Sequence, residues 1–198
     1  MAGLRERKKA DTRAALAAAT LRLAAERGWE HVTVEAVAGE ADVSYRTFFN
    51  HFSSKEEALL RPGGAEQPRL STRLRAQPAD LSLPAAVRAA VREEVGELTA
   101  DPATLRTRMT VLAGTPALLP RLVEMGAADE QAMALAIAER TGQDVDLGPA
   151  LLAAVVSAAL RVSLMRWHGQ DGATPLATLA DEALDALAAG LPPATPAR

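Results

Sequence analysis

Apolar residues recur along this chain at helical spacing and nowhere settle into a strand's alternation. Leu16, Ala19, Thr20, Leu23 and Ala24 fall on one face of a helix expected from about Leu4 to Arg27. Gly28 is expected to end that helix in a left-handed conformation. Thr33 is the expected cap of a short helix from Val34 to about Ala41, with Glu35 in its first turn and Val34, Val37 and Ala38 turned inward. Ala41-Asp42-Val43 reads as a tight turn. Ser44 caps a third helix that reaches about Phe52, with Phe48 and Phe52 on one face, and Ser53 or Ser54 caps a fourth. Three short capped helices within about thirty residues form a helix-turn-helix unit with its supports.

Beyond Arg61 the period is lost. Pro62, Gly63, Gly64, Pro68 and Pro78 make residues 61–83 a linker with one helical piece around Arg69–Arg75. Long helices follow. Pro84–Leu98 is amphipathic, Asp101-Pro102 opens a helix ending at Gly114, and Thr115-Pro116 opens a segment to about Thr141, kinked or divided near Pro120. Leu147–Gln170 is the most apolar. Its charge-free stretch between Asp146 and Arg161 is too short to span a bilayer and is expected to be a buried helix. Thr174-Pro175 opens the last helix, which ends at Gly190. The fold class is all-α, with residues 1–60 a helix-turn-helix domain, 61–83 a linker, 84–190 a second helical domain and 191–198 a flexible tail.

Composition narrows the chemistry. The 198 residues, 48% hydrophobic and 24% charged, suffice for a sizeable core, and with only 3% aromatic residues that core must be aliphatic. The absence of cysteine excludes disulfides, thiolate catalysis and iron–sulfur clusters. His31, His51 and His168 form no His-Glu-x-x-His pattern, and there is neither a glycine-rich phosphate loop nor a plausible Ser/His/acid set. No enzyme and no cofactor are expected. The opening MAGLRERKKADTR has no apolar run with a cleavage signature behind it and is read as no signal peptide, so a cytoplasmic protein without membrane association is expected. The net charge of −3 hides an asymmetry, because residues 1–55 carry nine basic against seven acidic residues and all three lysines. A polyanion would meet the front end, where Arg5–Lys9 is either a minor-groove arm or a solvated, disordered tail.

Candidate chemistry concentrates in Thr33–Lys55. Ser44, Tyr45, Arg46, Thr47, Asn50 and His51 put polar or planar side chains on the third helix, opposite Phe48 and Phe52. A helix held this way offers its first residues to base edges in the major groove. Arg46 has the fork to grip guanine, and Tyr45 can pack on a thymine methyl or reach a phosphate. Thr33, Ser44, Thr47 and Lys55 stand at helix starts or edges that favour phosphate oxygens. Asn50 is expected to face solvent.

Residues 5–60 resemble the DNA-binding domain of the TetR family of bacterial transcriptional regulators. The likeness rests on Thr33-Val34, Asp42-Val43-Ser44, Thr47-Phe48-Phe49-Asn50-His51-Phe52 and Ser54-Lys55-Glu56. It implies base reading by Tyr45 and Arg46, and phosphate contact by Thr33, Ser44, Thr47, Phe49, His51 and Lys55. Two positions depart from the family pattern. Asp42 replaces the usual glycine and tolerates a left-handed turn. Phe49 replaces a common tyrosine and keeps only van der Waals contact with the backbone.

The second domain is similar, more loosely, to the family's ligand-binding and dimerisation domain. Asp101–Leu112, Thr115–Leu122 and the Arg-x-x-x-x-Arg-Trp ending at Trp167 resemble the subgroup that senses acyl-CoA-type or other lipophilic ligands. This implies a homodimer through the last two helices, a near-palindromic double-stranded operator, and a small lipophilic effector. Met109, Leu112, Leu119, Met125, Met133, Ile137, Leu152, Val156, Leu160, Met165 and Trp167 are the candidate cavity wall, on the principle that methionine suits adaptable apolar pockets. Arg108, Arg161, Arg166 and His168 could greet an anionic head group, although solvated arginines are the expectation. The function implied is ligand-responsive repression. An activator of the same family, or a dimeric lipophilic-ligand carrier that regulates no DNA, are the alternatives.

Overall fold

Every regular element in the computed structural model, which describes residues 2–63 and 69–190 (the side chains of residues 2, 4 and 5 aside), is helical. The order is α1 (Ala2–Arg27), α2 (Val34–Glu40), α3 (Tyr45–Phe49), α4 (Lys55–Leu60), α5 (Leu70–Ala76), α6 (Leu83–Leu98), α7 (Pro102–Ala113), α8 (Leu119–Thr141), α9 (Leu147–Gly169) and α10 (Leu176–Ala188). The expected flexible tail at 191–198 lies outside the described residues, as do 64–68 of the expected linker. The basic stretch behind Met1, expected as an arm or a disordered tail, is instead the first turns of α1.

Two compact units emerge: residues 1–68 with 103–124, and residues 69–102 with 125–198. The division differs from the sequence boundaries because α7 and the start of α8 share the core of the first unit. Leu16, Leu23, Trp29, Val32, Val37, Phe48, Phe52 and Leu59 build that core with Val111 and Leu118, and Leu112 and Leu122 pack against it.

Local signals set the turns. The Thr33, Ser44 and Ser54 hydroxyls each accept from the backbone N–H three residues on, at 3.1, 3.1 and 3.2 Å. At the end of α2 the Val43 N–H donates to the Ala38 carbonyl at 2.9 Å and the Asp42 N–H to Gly39 at 3.2 Å. These two bonds make a Schellman motif with Asp42 at φ 53°, so aspartate fills the position where glycine is commonest. Gly28 corrects a detail. Its φ of 83° is positive as expected, but its ψ of 148° lies outside the left-handed helical well, as the chain leaves α1 directly into a 3₁₀ turn over Trp29–His31. Helix α3 is also shorter than expected. The Asn50 N–H shares the Arg46 and Thr47 carbonyls at 3.2 and 3.1 Å, tightening the last turn, and Phe52 lies beyond it.

In the second unit, α5 lies within the segment expected as linker and packs on α6. Pro120 causes no kink. It occupies the first turn of α8, where a missing N–H is harmless, and the division falls earlier, at the 3₁₀ turn Pro116–Leu118. Helix α9 is long and apolar enough to cross a membrane by length and composition, with a mean hydropathy of 1.8 in its most apolar window. It is not the buried helix expected, since only 22% of that window is covered. Ala153, Val156, Ala159, Ser163 and Trp167 form its inner face, and the Ser163 hydroxyl reaches the Leu179 carbonyl of α10 at 3.1 Å. Leu147, Leu151, Val162 and Met165 are exposed on the opposite face, within about 60° of arc. Apolar residues on both sides explain why periodicity alone could not tell which face of this helix is covered.

Candidate nucleic-acid interface

The third helix is held from beneath and presents its other side to solvent. Phe48 is fully buried and Phe52 nearly so, whereas Tyr45 is 52% and Phe49 45% exposed. Arg46 and Asn50 are exposed and His51 is half-buried. Ser44 and Thr47 join their hydroxyls at 2.8 Å on the same edge. Tyr45, Arg46, Ser44 and Thr47 therefore lie together on one short surface, with Thr33 exposed at the start of α2.

Ser54 and Glu57 fix the entry to α4. The Ser53 N–H and hydroxyl both donate to the Glu57 carboxylate, at 2.7 and 2.6 Å, while the Glu57 N–H donates to Ser54. This reciprocal pattern resembles a capping box. It aims Lys55 back across the head. The Lys55 ammonium donates to the carbonyls of Val32 at 2.7 Å and Trp29 at 3.3 Å, and lies 4.5 Å from the centre of the Trp29 ring. The sequence implies a phosphate contact for Lys55, and nothing in the spacing signals this clamp.

Rings provide the second feature that the sequence reading missed. Tyr45 and Phe49 meet edge to face at 5.0 Å, Phe49 and Phe48 at 5.3 Å, and Phe48 and Phe52 at 5.9 Å. Positions 45 and 49 are four apart, so the signal was present in the spacing.

The expected cavity wall is distributed over both units. Leu112 packs on the head core and Met109 is half-buried beside it in sequence, while Leu119 is 57% exposed. Met133, Ile137, Val156 and Trp167 are buried in the second unit, Met125, Leu152 and Leu160 are half-buried, and Met165 is exposed. A cleft of about 650 Å³ in the first unit shares no residue with this set. It runs between Ala24–Glu30 and the Ala103–Thr115 side of α7 and offers Arg106, Thr107 and Thr110. Among the described residues no cluster of His, Asp or Glu could hold a metal ion.

Residues 16–61 match the family model described as bacterial regulatory proteins, tetR family, and residues 81–192 match the MftR C-terminal domain of TetR-type proteins. The chain is similar to the HTH-type transcriptional regulator TcmR of Streptomyces glaucescens. The two are 34% identical over 174 residues, covering 84% of this chain and 77% of that protein. Two solved structures share the fold. One is the Thermus thermophilus repressor FadR in complex with lauroyl-CoA, at 23% identity and TM-score 0.54, covering 94% of this chain and 98% of that one. The other is NalD, the secondary repressor of the MexAB-OprM efflux pump in Pseudomonas aeruginosa, at 21% identity and TM-score 0.59, covering 94% and 100%.

Proposed function

Because the chain belongs to the TetR family of DNA-binding transcriptional regulators, and is therefore not an enzyme, we propose that it is a ligand-responsive repressor of the cytoplasm. Family members bind operator DNA as dimers. In this chain the two copies would pair through α9 and α10, whose exposed stripe of Leu147, Leu151, Val162 and Met165 needs a cover. Two-fold symmetry then sets two α3 helices about one DNA turn apart on a near-palindromic site.

The observation that carries this reading is the two-sidedness of α3: Phe48 buried at its back, Tyr45 and Arg46 exposed at its front. Tyr45 and Arg46 read bases. Thr33, Ser44, Thr47, His51 and Lys55 meet phosphates, Lys55 by leaving its carbonyls or through its remaining N–H, and Asn50 faces solvent. Residues 84–190 serve as the ligand-binding and dimerisation region. The effector class is lipophilic and acyl-CoA-like, supported by the fold shared with the lauroyl-CoA complex and by the methionines of the wall. Repression is relieved when the effector prefers the state that holds the α3 pair at the wrong spacing, a coupling of about 1–3 kcal/mol.

Fluorescence anisotropy tests both halves. The protein is titrated against duplex from the region upstream of its own gene and against a scrambled duplex, at two salt concentrations. Preference for the native duplex, weakened steeply by salt, is expected. Lauroyl-CoA added to the preformed complex should release the DNA at least about fivefold more readily. Equal binding to native, scrambled and genome-selected duplexes would sink the operator reading, and indifference to acyl-CoA would sink the effector class alone.

A further inference from the structure

This chain has three phenylalanines and a single tyrosine, and all four stand between positions 45 and 52. Their rings are not scattered over that segment. Phe52 and Phe48 are rooted in the head core at 2% and 0% exposure. Phe49 touches Phe48 with its ring at 5.3 Å and 77°, and Tyr45 touches Phe49 at 5.0 Å and 61°. Both are edge-to-face arrangements, the geometry that aromatic quadrupoles favour. A continuous ladder therefore rises from buried to exposed side chains through one intermediate, Phe49.

Position 49 makes little sense as a phosphate contact. A phenyl ring has no donor, and an anion gains nothing from displacing water off it. The ring does something for its neighbour. A tyrosine in the first turn of a five-residue helix would exchange between its two permitted χ1 wells, and DNA binding would have to freeze it. Packed on Phe49, Tyr45 is already ordered. The pair exposes two ring edges and the one tyrosine hydroxyl, next to Arg46 in the chain, and the apolar group that a major groove displays is the C5-methyl of thymine.

We infer that Phe49 is a positioning residue: it fixes the Tyr45 ring as the outer rung of a ladder rooted on Phe48 and Phe52, so that the two exposed rings form a preset ledge reading a thymine methyl in each operator half-site. The inference rests on the operator-binding reading above and gives a different role to Phe49 than backbone contact. Arg46 supplies polar selectivity for guanine, and the ledge supplies apolar selectivity for thymine beside it.

The test uses the full-length dimer and an operator taken from selection among randomised duplexes. Each thymine of a half-site is replaced in turn by uracil, which removes only the methyl. One position per half-site should lose about fourfold in affinity, the transfer value of a single methyl-sized group. With Phe49→Leu the thymine duplex should bind as weakly as the uracil duplex, so the ratio between them falls to one while the salt slope stays that of the wild type. Phe49→Tyr should restore the ratio. Without DNA, the ring resonances of Tyr45, unambiguous in the wild type and in Phe49→Leu because it is the only tyrosine in both, should carry a Phe49 ring-current shift in the wild type and lose it in Phe49→Leu. Thermal unfolding of both variants checks that the head is intact.

A selected operator that needs Arg46 yet ignores every thymine-to-uracil change would overturn the ledge and leave the regulator reading standing. A Phe49→Leu protein that weakens both duplexes equally and changes the salt slope would return Phe49 to the DNA backbone. Selection that enriches no sequence at all would fail the regulator reading first, and this inference with it.

Discussion

Arg46 projects from the first turn of α3 beside Tyr45, exposed and without an ion pair among the described residues. Its guanidinium is thus free to form a bidentate pair. Arg46→Ala should weaken specific binding by about 1–3 kcal/mol and relax selection at one base position, as competition with single-base operator variants would reveal. A loss spread evenly over all sequences would reassign it to phosphate. Lys55 makes a contrasting case, because its ammonium satisfies the Trp29 and Val32 carbonyls and caps the Trp29 ring. Removing it should destabilise the head by about 1–3 kcal/mol in urea, apart from any effect on DNA. Lys55→Ala should also flatten the salt dependence if the side chain reaches phosphate in the complex. An unchanged salt slope with lowered stability would leave the clamp as its whole role. Sequence made Arg46 legible, since exposure follows from the buried Phe48 on the far side of the same short helix. The clamp was not legible, because a contact spanning 23 residues depends on where two turns bring their carbonyls.

Helix starts were readable to the residue at Thr33, Ser44 and Ser54, where the capping hydroxyl and its N–H partner are three positions apart in the chain. Helix ends were less so, as α3 shows by stopping at Phe49 when its last N–H groups are shared between carbonyls. Tertiary ion pairs were invisible. Arg73, though largely buried, bonds Glu94 at 2.8 Å and also Glu97 on α6, while Arg69 and Arg75 reach Asp129 and Glu139 on α8 at 3.1 and 2.6 Å. A short helix in a proline-rich segment is held between two longer ones by these pairs. Two carboxylates of this unit should titrate with opposite signs. Hydrogen bonds from Arg92 and Arg88 hold the Asp181 carboxyl below its usual range, whereas burial pushes Glu94 up despite Arg73. Asp181 then contributes stability above the ordinary carboxylate range that is lost as pH falls through its depressed value. The Glu94 contribution is present below that range and is lost as pH rises through its raised value. Urea midpoints followed from about pH 7 to about pH 3 should show a shallower acid loss in Asp181→Asn. In Glu94→Gln the loss on the higher-pH side of the carboxylate range should disappear. Parallel curves for either variant and the wild type would contradict that assignment.

At the scale of the whole molecule, each unit closes a core, and among the described residues α9 leaves an apolar stripe uncovered. Hydrophobic periodicity located α9 and its length but could not say which side met a partner, because both sides are apolar. For the same reason the expected cavity wall mixed true core, such as Met133 and Ile137, with exposed Leu119 and Met165. The stripe can be tested directly. Leu151 and Val162 are 58% and 54% exposed in the single chain, so a carboxylate at either position leaves the fold of one copy undisturbed. Buried against a symmetry mate, the same carboxylate would lose its water inside an apolar seam. Leu151→Glu with Val162→Glu should therefore shift the mass measured by light scattering from twice the chain's 20.8 kDa to that of one chain, with helicity retained. Operator affinity should fall by on the order of 10²-fold or more, because each head then binds its half-site without the effective concentration the partner provides. A single half-site duplex separates the causes: its affinity should be the same for the variant and the wild type, since α3 is untouched. A variant that stays dimeric would place the interface elsewhere and leave the exposed face of α9 to another partner.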